Sequence, residues 1–195
     1  MRDTAHMRYF NTTAFVFLAG LSGTLQATML AAATLAPIER IVPYHDVDYG
    51  FQLAIPENWS RIYAAEDERD ADAVEPGYAL GFESPRAGEQ DVFADYLMIE
   101  ILPGAQSGAF ESDGSNTKVV IVDGRVAVTD KIHLNGFDVD GNKIDLVVFQ
   151  AEIVELGFTV GIFAIGQQHE ADVLEDAFGL ALKTFKVPDD PFSLS

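Results

Sequence analysis

The chain has 195 residues, a formal net charge of −19 and no cysteine. That length accommodates one domain with a real hydrophobic core plus an extension. The missing cysteine excludes disulfides, thiolate metal sites, a cysteine nucleophile and a bacterial lipoprotein anchor. The charge repels nucleic acid and anionic membrane surfaces, and it suits a soluble protein in a salty or extracytoplasmic medium, or one with a cationic partner.

Residues 1–36 are unlike the rest. Arg2 and Arg8 precede an apolar stretch over residues 12–35 that ends in small residues, Ala31, Ala32 and Ala33. A positive start, an apolar middle and an Ala-x-Ala end predict a secretory signal cleaved near Ala33, with Ala36 as the alternative. Met7 serves equally well as the start. The rival reading is an uncleaved anchor, since the stretch is long enough to span a bilayer; Gly20, Ser22, Gly23 and Gln26 weaken it. The expectation is a periplasmic or secreted protein with a single domain over residues 37–195 and no stable membrane insertion once the signal is removed.

Residues 41–48 read as a lead-in and residues 49–55 as the first strand, ended by Pro56, which cannot donate to a ladder. Trp59, the lone tryptophan, reads as a core anchor. The acidic run 66–75 lacks an apolar stripe and reads as a solvated loop. Strands follow at residues 78–83 and 96–102, each closed by a proline. Residues 104–117 are rich in Gly, Ser, Asn and Asp, a loop long enough to be mobile or functional. Asp123-Gly124 then marks a tight hairpin between residues 119–122 and 125–128.

From residue 131 to 187 the pattern is three strands and a helix. Asp140-Gly141-Asn142 supplies the turn between residues 131–139 and 144–153, and Glu155-Leu156-Gly157 separates the latter from residues 158–165. Val173, Leu174, Ala177, Phe178, Ala181, Leu182 and Phe185 recur at helical spacing. Acidic residues at the helix start and Lys183 and Lys186 at its end suit the helix dipole. Gly179 sits inside it, where a close approach to the sheet would explain it. Both faces of residues 144–165 are apolar, so those strands need cover on both sides. The helix supplies one cover; the other is expected from the N-terminal segments, with curling of the sheet or a partner as the alternatives.

The fold class is therefore α+β, an antiparallel sheet of about six or seven strands packed against a C-terminal helix. The stretch Tyr49-Gly50-Phe51-Gln52-Leu53-Ala54-Ile55-Pro56-Glu57-Asn58-Trp59 resembles the opening of PsbP-like proteins. The strand Leu80-Gly81-Phe82-Glu83-Ser84-Pro85 and the late hairpin before a helix ending in Thr184-Phe185 are similar to the same family. The resemblance implies an α/β/α sandwich shared with a nuclear Ran-release factor. Where that family places a helix after the strand at 96–102, this chain has the glycine-rich residues 104–117. It also implies a small exported accessory or binding protein with no shared catalytic centre, so no catalytic residue carries over.

Few residues suggest chemistry. Asp138, Asp140 and Asn142 alternate like the start of a calcium loop, but Lys143 stands where the turn needs glycine and Phe149 where a bidentate Glu belongs. The hairpin reading uses the same residues without misfit. His45, Asp46 and Asp48 group potential metal ligands ahead of a strand, and His133 and His169 lie further on. Glu100 and Asp145 are expected on one sheet surface. No hydrolase, metalloprotease or phosphate-cradling motif occurs. The expected function is an exported, non-catalytic accessory or binding domain that meets a protein partner through the 104–117 loop or the acidic 66–75 face, with no cofactor and no nucleic acid. The alternative is a secreted metal-dependent enzyme using His45, Asp48 and His133, or a calcium-binding protein.

Overall fold

The computed structural model describes residues 38, 40–63, 78–85, 95–105, 116–137 and 143–188. The segment expected to be a signal, the acidic 66–75 run, residues 106–115 of the glycine-rich stretch and the expected turn at Asp140-Gly141-Asn142 lie outside the described residues.

The chain forms an α+β fold with, among the described residues, two antiparallel sheets and one α-helix. Strands β1 (Ile41–His45) and β2 (Gln52–Pro56) make a two-stranded sheet. The main sheet has seven strands: β3 (Ser60–Tyr63), β4 (Tyr78–Glu83), β5 (Tyr96–Pro103), β6 (Lys118–Val122), β7 (Arg125–Phe137), β8 (Lys143–Glu155) and β9 (Phe158–Gln167). Their spatial order is β3-β4-β5-β9-β8-β7-β6, with every neighbouring pair antiparallel. A 3₁₀ turn at Gln168–Glu170 leads into helix α1 (Ala171–Thr184).

Three local readings change. The lead-in at residues 41–48 contains β1, which pairs with β2 from Ile41–Pro56 to His45–Gln52. The segments at 125–128 and 131–139 are one long strand, β7, because its ladder with β8 runs unbroken from Ala127–Ile153 to Phe137–Lys143. Residues 60–63 form the edge strand β3, paired with β4.

The stripe on α1 packs as its spacing demands. Leu174, Ala177, Phe178 and Ala181 are buried, and Phe178 lies 5.9 Å from Phe149 on β8. The helix does not cover this face alone. Phe51, Leu53 and Ile55 of the β2 segment join the same cluster as Leu80, Phe82, Leu97 and Val147. Phe51 stacks on Phe185 at 5.7 Å, and Tyr44 sits edge-on to Phe82 at 5.0 Å. Thr184 Oγ1 accepts a 2.8 Å bond from the Ala54 N–H, tying β2 to the end of the helix. The helix ends there, ahead of Pro188, because the chain turns extended at Phe185 and Lys186 bridges to Gln52.

The expectation that N-terminal segments cover the opposite face is thus corrected for β1 and β2: they lie beside α1, on its side of the sheet. The physical reason is the aromatic row of Tyr44, Phe51, Phe82 and Phe185, which has its partners on that side. The opposite face has its own smaller cluster of Tyr96, Met98, Val148 and Phe163, with Ile62, Leu102, Ile132 and Ile165 packed against it. Both faces of the central strands are apolar, as their composition requires.

Candidate functional site

The grouping of His45, Asp46 and Asp48 resolves into a turn. Asp46 is buried; its Oδ1 accepts the N–H groups of Asp48 at 3.1 Å and Tyr49 at 2.9 Å, and its Oδ2 accepts the Tyr44 hydroxyl at 3.1 Å. This side chain reinforces the β1–β2 connection beside two backbone bonds, Asp46 N–H to the Phe51 carbonyl at 2.9 Å and Gly50 N–H to the Asp46 carbonyl at 3.0 Å. His45 and Asp48 are left exposed on either side of it. His133 lies on β7 of the other sheet, with its Nδ1 2.6 Å from Gln168 Oε1. His169 Nε2 stands 3.9 Å from Glu170 at the helix start. Among the described residues no group of three or more His, Asp or Glu side chains is placed to hold a metal ion. Asp138, Asp140 and Asn142 lie outside the described residues.

Glu100 and Asp145 are on opposite faces. Alternation along β5 sets Glu100 with Tyr96 and Met98, away from the helix. Alternation along β8 sets Asp145 with Val147 and Phe149, toward it, and its carboxylate meets Lys143 at 3.0 Å. The residue that shares a row with Glu100 is Glu152. Glu100 pairs with Gly161, and Gly161 pairs with Glu152 on its other side. Burial pushes the Glu100 carboxyl up to about 6.

The feature that sequence reading missed is apolar. On the face away from the helix, Val119 pairs with Val128 and Ile121 with Val126. Val154 shares that face on β8. These five side chains are 69 %, 43 %, 65 %, 60 % and 38 % exposed, in that order. They form one surface at the β6 end of the sheet. Its residues were in plain view as a hairpin of Val and Ile around Asp123-Gly124. The signal was the lack of alternation: Val119, Val120, Ile121 and Val122 are apolar on both faces, yet the core takes only the inner one, with Val122 buried, Val120 packed partly against it, and Val119 and Ile121 outside.

The backbone of this edge is set by the turn. Asp123 has φ 50° and Gly124 φ 80°, two consecutive left-handed residues that close a two-residue hairpin. In such a hairpin the closing pair, Val122 and Arg125, is hydrogen-bonded, and bonding alternates from there. Val120 and Lys118 therefore direct their N–H and C=O to β7, while Val119 and Ile121 direct theirs outward. Among the described residues β6 has no neighbour on that side.

No protein-family model matches this sequence, and no curated protein matches it. Solved structures do. A protein of Bacteroides thetaiotaomicron VPI-5482 is 12 % identical, with a TM-score of 0.48, over 75 % of this chain and 48 % of its own. The chain thus spans about half the length of that protein. LpqN of Mycobacterium tuberculosis, described as involved in cell envelope biogenesis, is 13 % identical with a TM-score of 0.47, over 76 % of this chain and 91 % of LpqN.

Among the described residues no helix is long and apolar enough to cross a membrane.

Proposed function

We propose that this protein is an exported, non-catalytic accessory or binding domain of the PsbP-like kind, working in the periplasm or outside the cell through contacts with another protein chain. One observation carries the reading: Val119, Ile121, Val126, Val128 and Val154 form a contiguous exposed apolar surface at a sheet edge that has no neighbouring strand among the described residues. Scattered surface hydrophobics need no explanation, but a contiguous patch on a soluble domain marks a contact surface. The leader supports export, and the net charge of −19 argues against nucleic acid as the partner.

The test replaces Val119→Thr and Ile121→Thr together. Threonine keeps the β-branched shape and removes apolar area. Used as bait against the exported fraction of the host, the wild-type chain captures a defined protein and the double variant does not. Equal capture by both would remove the patch, and this reading with it.

A further inference from the structure

We infer that the β6 edge is a homodimer interface, at which two copies of the chain pair their β6 strands antiparallel about a two-fold axis centred on Val120. This deepens the proposed contact function by naming the occupant of the strand edge that borders the same apolar face, which the pairing extends across both copies, and it rests on that reading.

Alternation places the axis on a residue, and Val120, the middle of β6, is the one that pairs the whole strand. An antiparallel two-fold on Val120 sets Val119 opposite the partner's Ile121 and Ile121 opposite the partner's Val119. In β6 these two residues already direct their N–H and C=O outward, so the facing pairs are hydrogen-bonded ones, giving about four new backbone bonds. Val120, whose backbone is used by β7, falls at the non-bonded position on the axis, as the ladder requires. The same register keeps side chains on matching faces. Val128, Val119, the partner's Ile121 and the partner's Val126 then form one unbroken β-branched row across the junction. An isologous interface has to be self-complementary in this way.

Charge separates a second copy from a foreign basic strand. The sequence of β6 is Lys-Val-Val-Ile-Val, with one cation and no carboxylate. Asp123 in the adjoining turn is held by Lys186 Nζ at 2.8 Å and Arg125 at 3.4 Å. A basic segment thus meets no available carboxylate along this edge, whereas in the two-fold register Lys118 faces the partner's Val122. The other edge, β3, is four residues long and carries Arg61 in mid-strand, the kind of charge that blocks edge pairing. The edge β6 lacks any such guard on its exposed face. Repulsion between two chains of −19 remains, but it is long-range and salt screens it. A five-residue strand pair is smaller than a standard interface of about 800 Å² per partner, so the dimer is expected to be weak and reversible.

The test uses the full chain and its lack of cysteine. Val120→Cys introduces a single thiol that faces its own copy at about 4.5–5.5 Å between Cα atoms, within disulfide range. Mild oxidation is expected to give a covalent dimer of Val120→Cys at least about tenfold faster than of Leu156→Cys, which is 98 % exposed in the β8–β9 turn. Sedimentation of the wild type is expected to show a reversible dimer that tightens between about 0.05 and about 0.5 M salt, and Ile121→Asp is expected to weaken it at least about tenfold. A wild-type chain that stays monomeric up to about 1 mM, or equal cross-linking at positions 120 and 156, overturns the inference. If the chain is monomeric while partner capture still depends on Val119 and Ile121, the dimer is wrong and the contact function stands. If capture is also indifferent to them, both fall.

Discussion

The Asp95 carboxylate occupies the space that a side chain at Gly166 would need. Asp95 is buried just ahead of β5, its backbone N–H donates to Ser84 Oγ at 3.2 Å, and its Oδ1 accepts the Gln167 N–H at 3.3 Å. A Cβ on residue 166 would fall on that carboxylate and within 2.7 Å of Leu174 Cδ1. The close approach fastens the end of β9 to the start of β5 and leaves the helix resting on both.

Gly166→Ala is therefore expected to cost about 1–3 kcal/mol in urea unfolding, the usual range for overpacking a tight core. Gly179→Ala is the contrast. Gly179 is exposed on α1, and a methyl group there would meet nothing within 4 Å, so of the two sequence readings, a close approach to the sheet or neutral drift, the close approach is absent. That substitution is expected to stabilise by up to about 1 kcal/mol through helix propensity. Equal effects from both would contradict this packing.

Glu100 makes a pH-dependent contribution of opposite sign to an ion pair. Its folded-state value is pushed up to about 6 from an ordinary 4.5 by burial. The folded chain therefore binds this proton more tightly than the unfolded chain, and stability falls as pH rises through that interval. Glu100→Gln keeps the shape and removes the charge. It is expected to gain up to about 2 kcal/mol over wild type at pH 7.5 and almost nothing near pH 4.5, by urea unfolding at both. A gain that is the same at both pH values would contradict a desolvated carboxylate.

How much of this was legible in the sequence depends on what each feature rests on. The helical stripe and the central strands were readable because both periodicities are local, and Phe178 and Phe185 are buried at 6 % and 1 % exposed as the stripe demands. The β1 strand was not: Ile41–His45 contains Pro43 and becomes a strand through its pairing with β2, a partner that lies across a turn held by the Asp46 side chain. The face of Asp145 was misjudged because relative register between β5 and β8 is set by β9 between them. The apolar patch was visible as residue types, but exposure is a tertiary property. The hairpin sits at the end of the sheet, and strand order in space is not written in chain order.

Asp123 ties the β6–β7 turn to the tail after the helix. Its Oδ1 receives Lys186 Nζ at 2.8 Å and its Oδ2 the Val187 N–H at 3.2 Å. The Lys186 hydrogen bond, then the Val187 N–H and the nearby positive charges, hold its carboxyl below the ordinary 3.8 against the opposing effect of burial. This contribution is present above the unfolded value and is lost as pH falls through the folded one. Asp123→Asn, which tolerates the φ of 50°, is expected to cost about 1 kcal/mol or less at pH 7, and the difference from wild type is expected to shrink as pH falls below the ordinary 3.8 and on through the lowered folded value. A difference that persists at acid pH would place the cost in the turn itself.

The open β6 edge is tested most directly by amide hydrogen exchange, residue by residue, on the wild-type chain at about 5 and about 500 μM. The account predicts that Val120 and Val122 are protected at both concentrations by β7. The amides of Val119 and Ile121 exchange rapidly at the lower concentration and slow by at least about tenfold at the higher one. Protection of Val119 and Ile121 that does not change with concentration, or rapid exchange at both, would contradict a self-pairing edge.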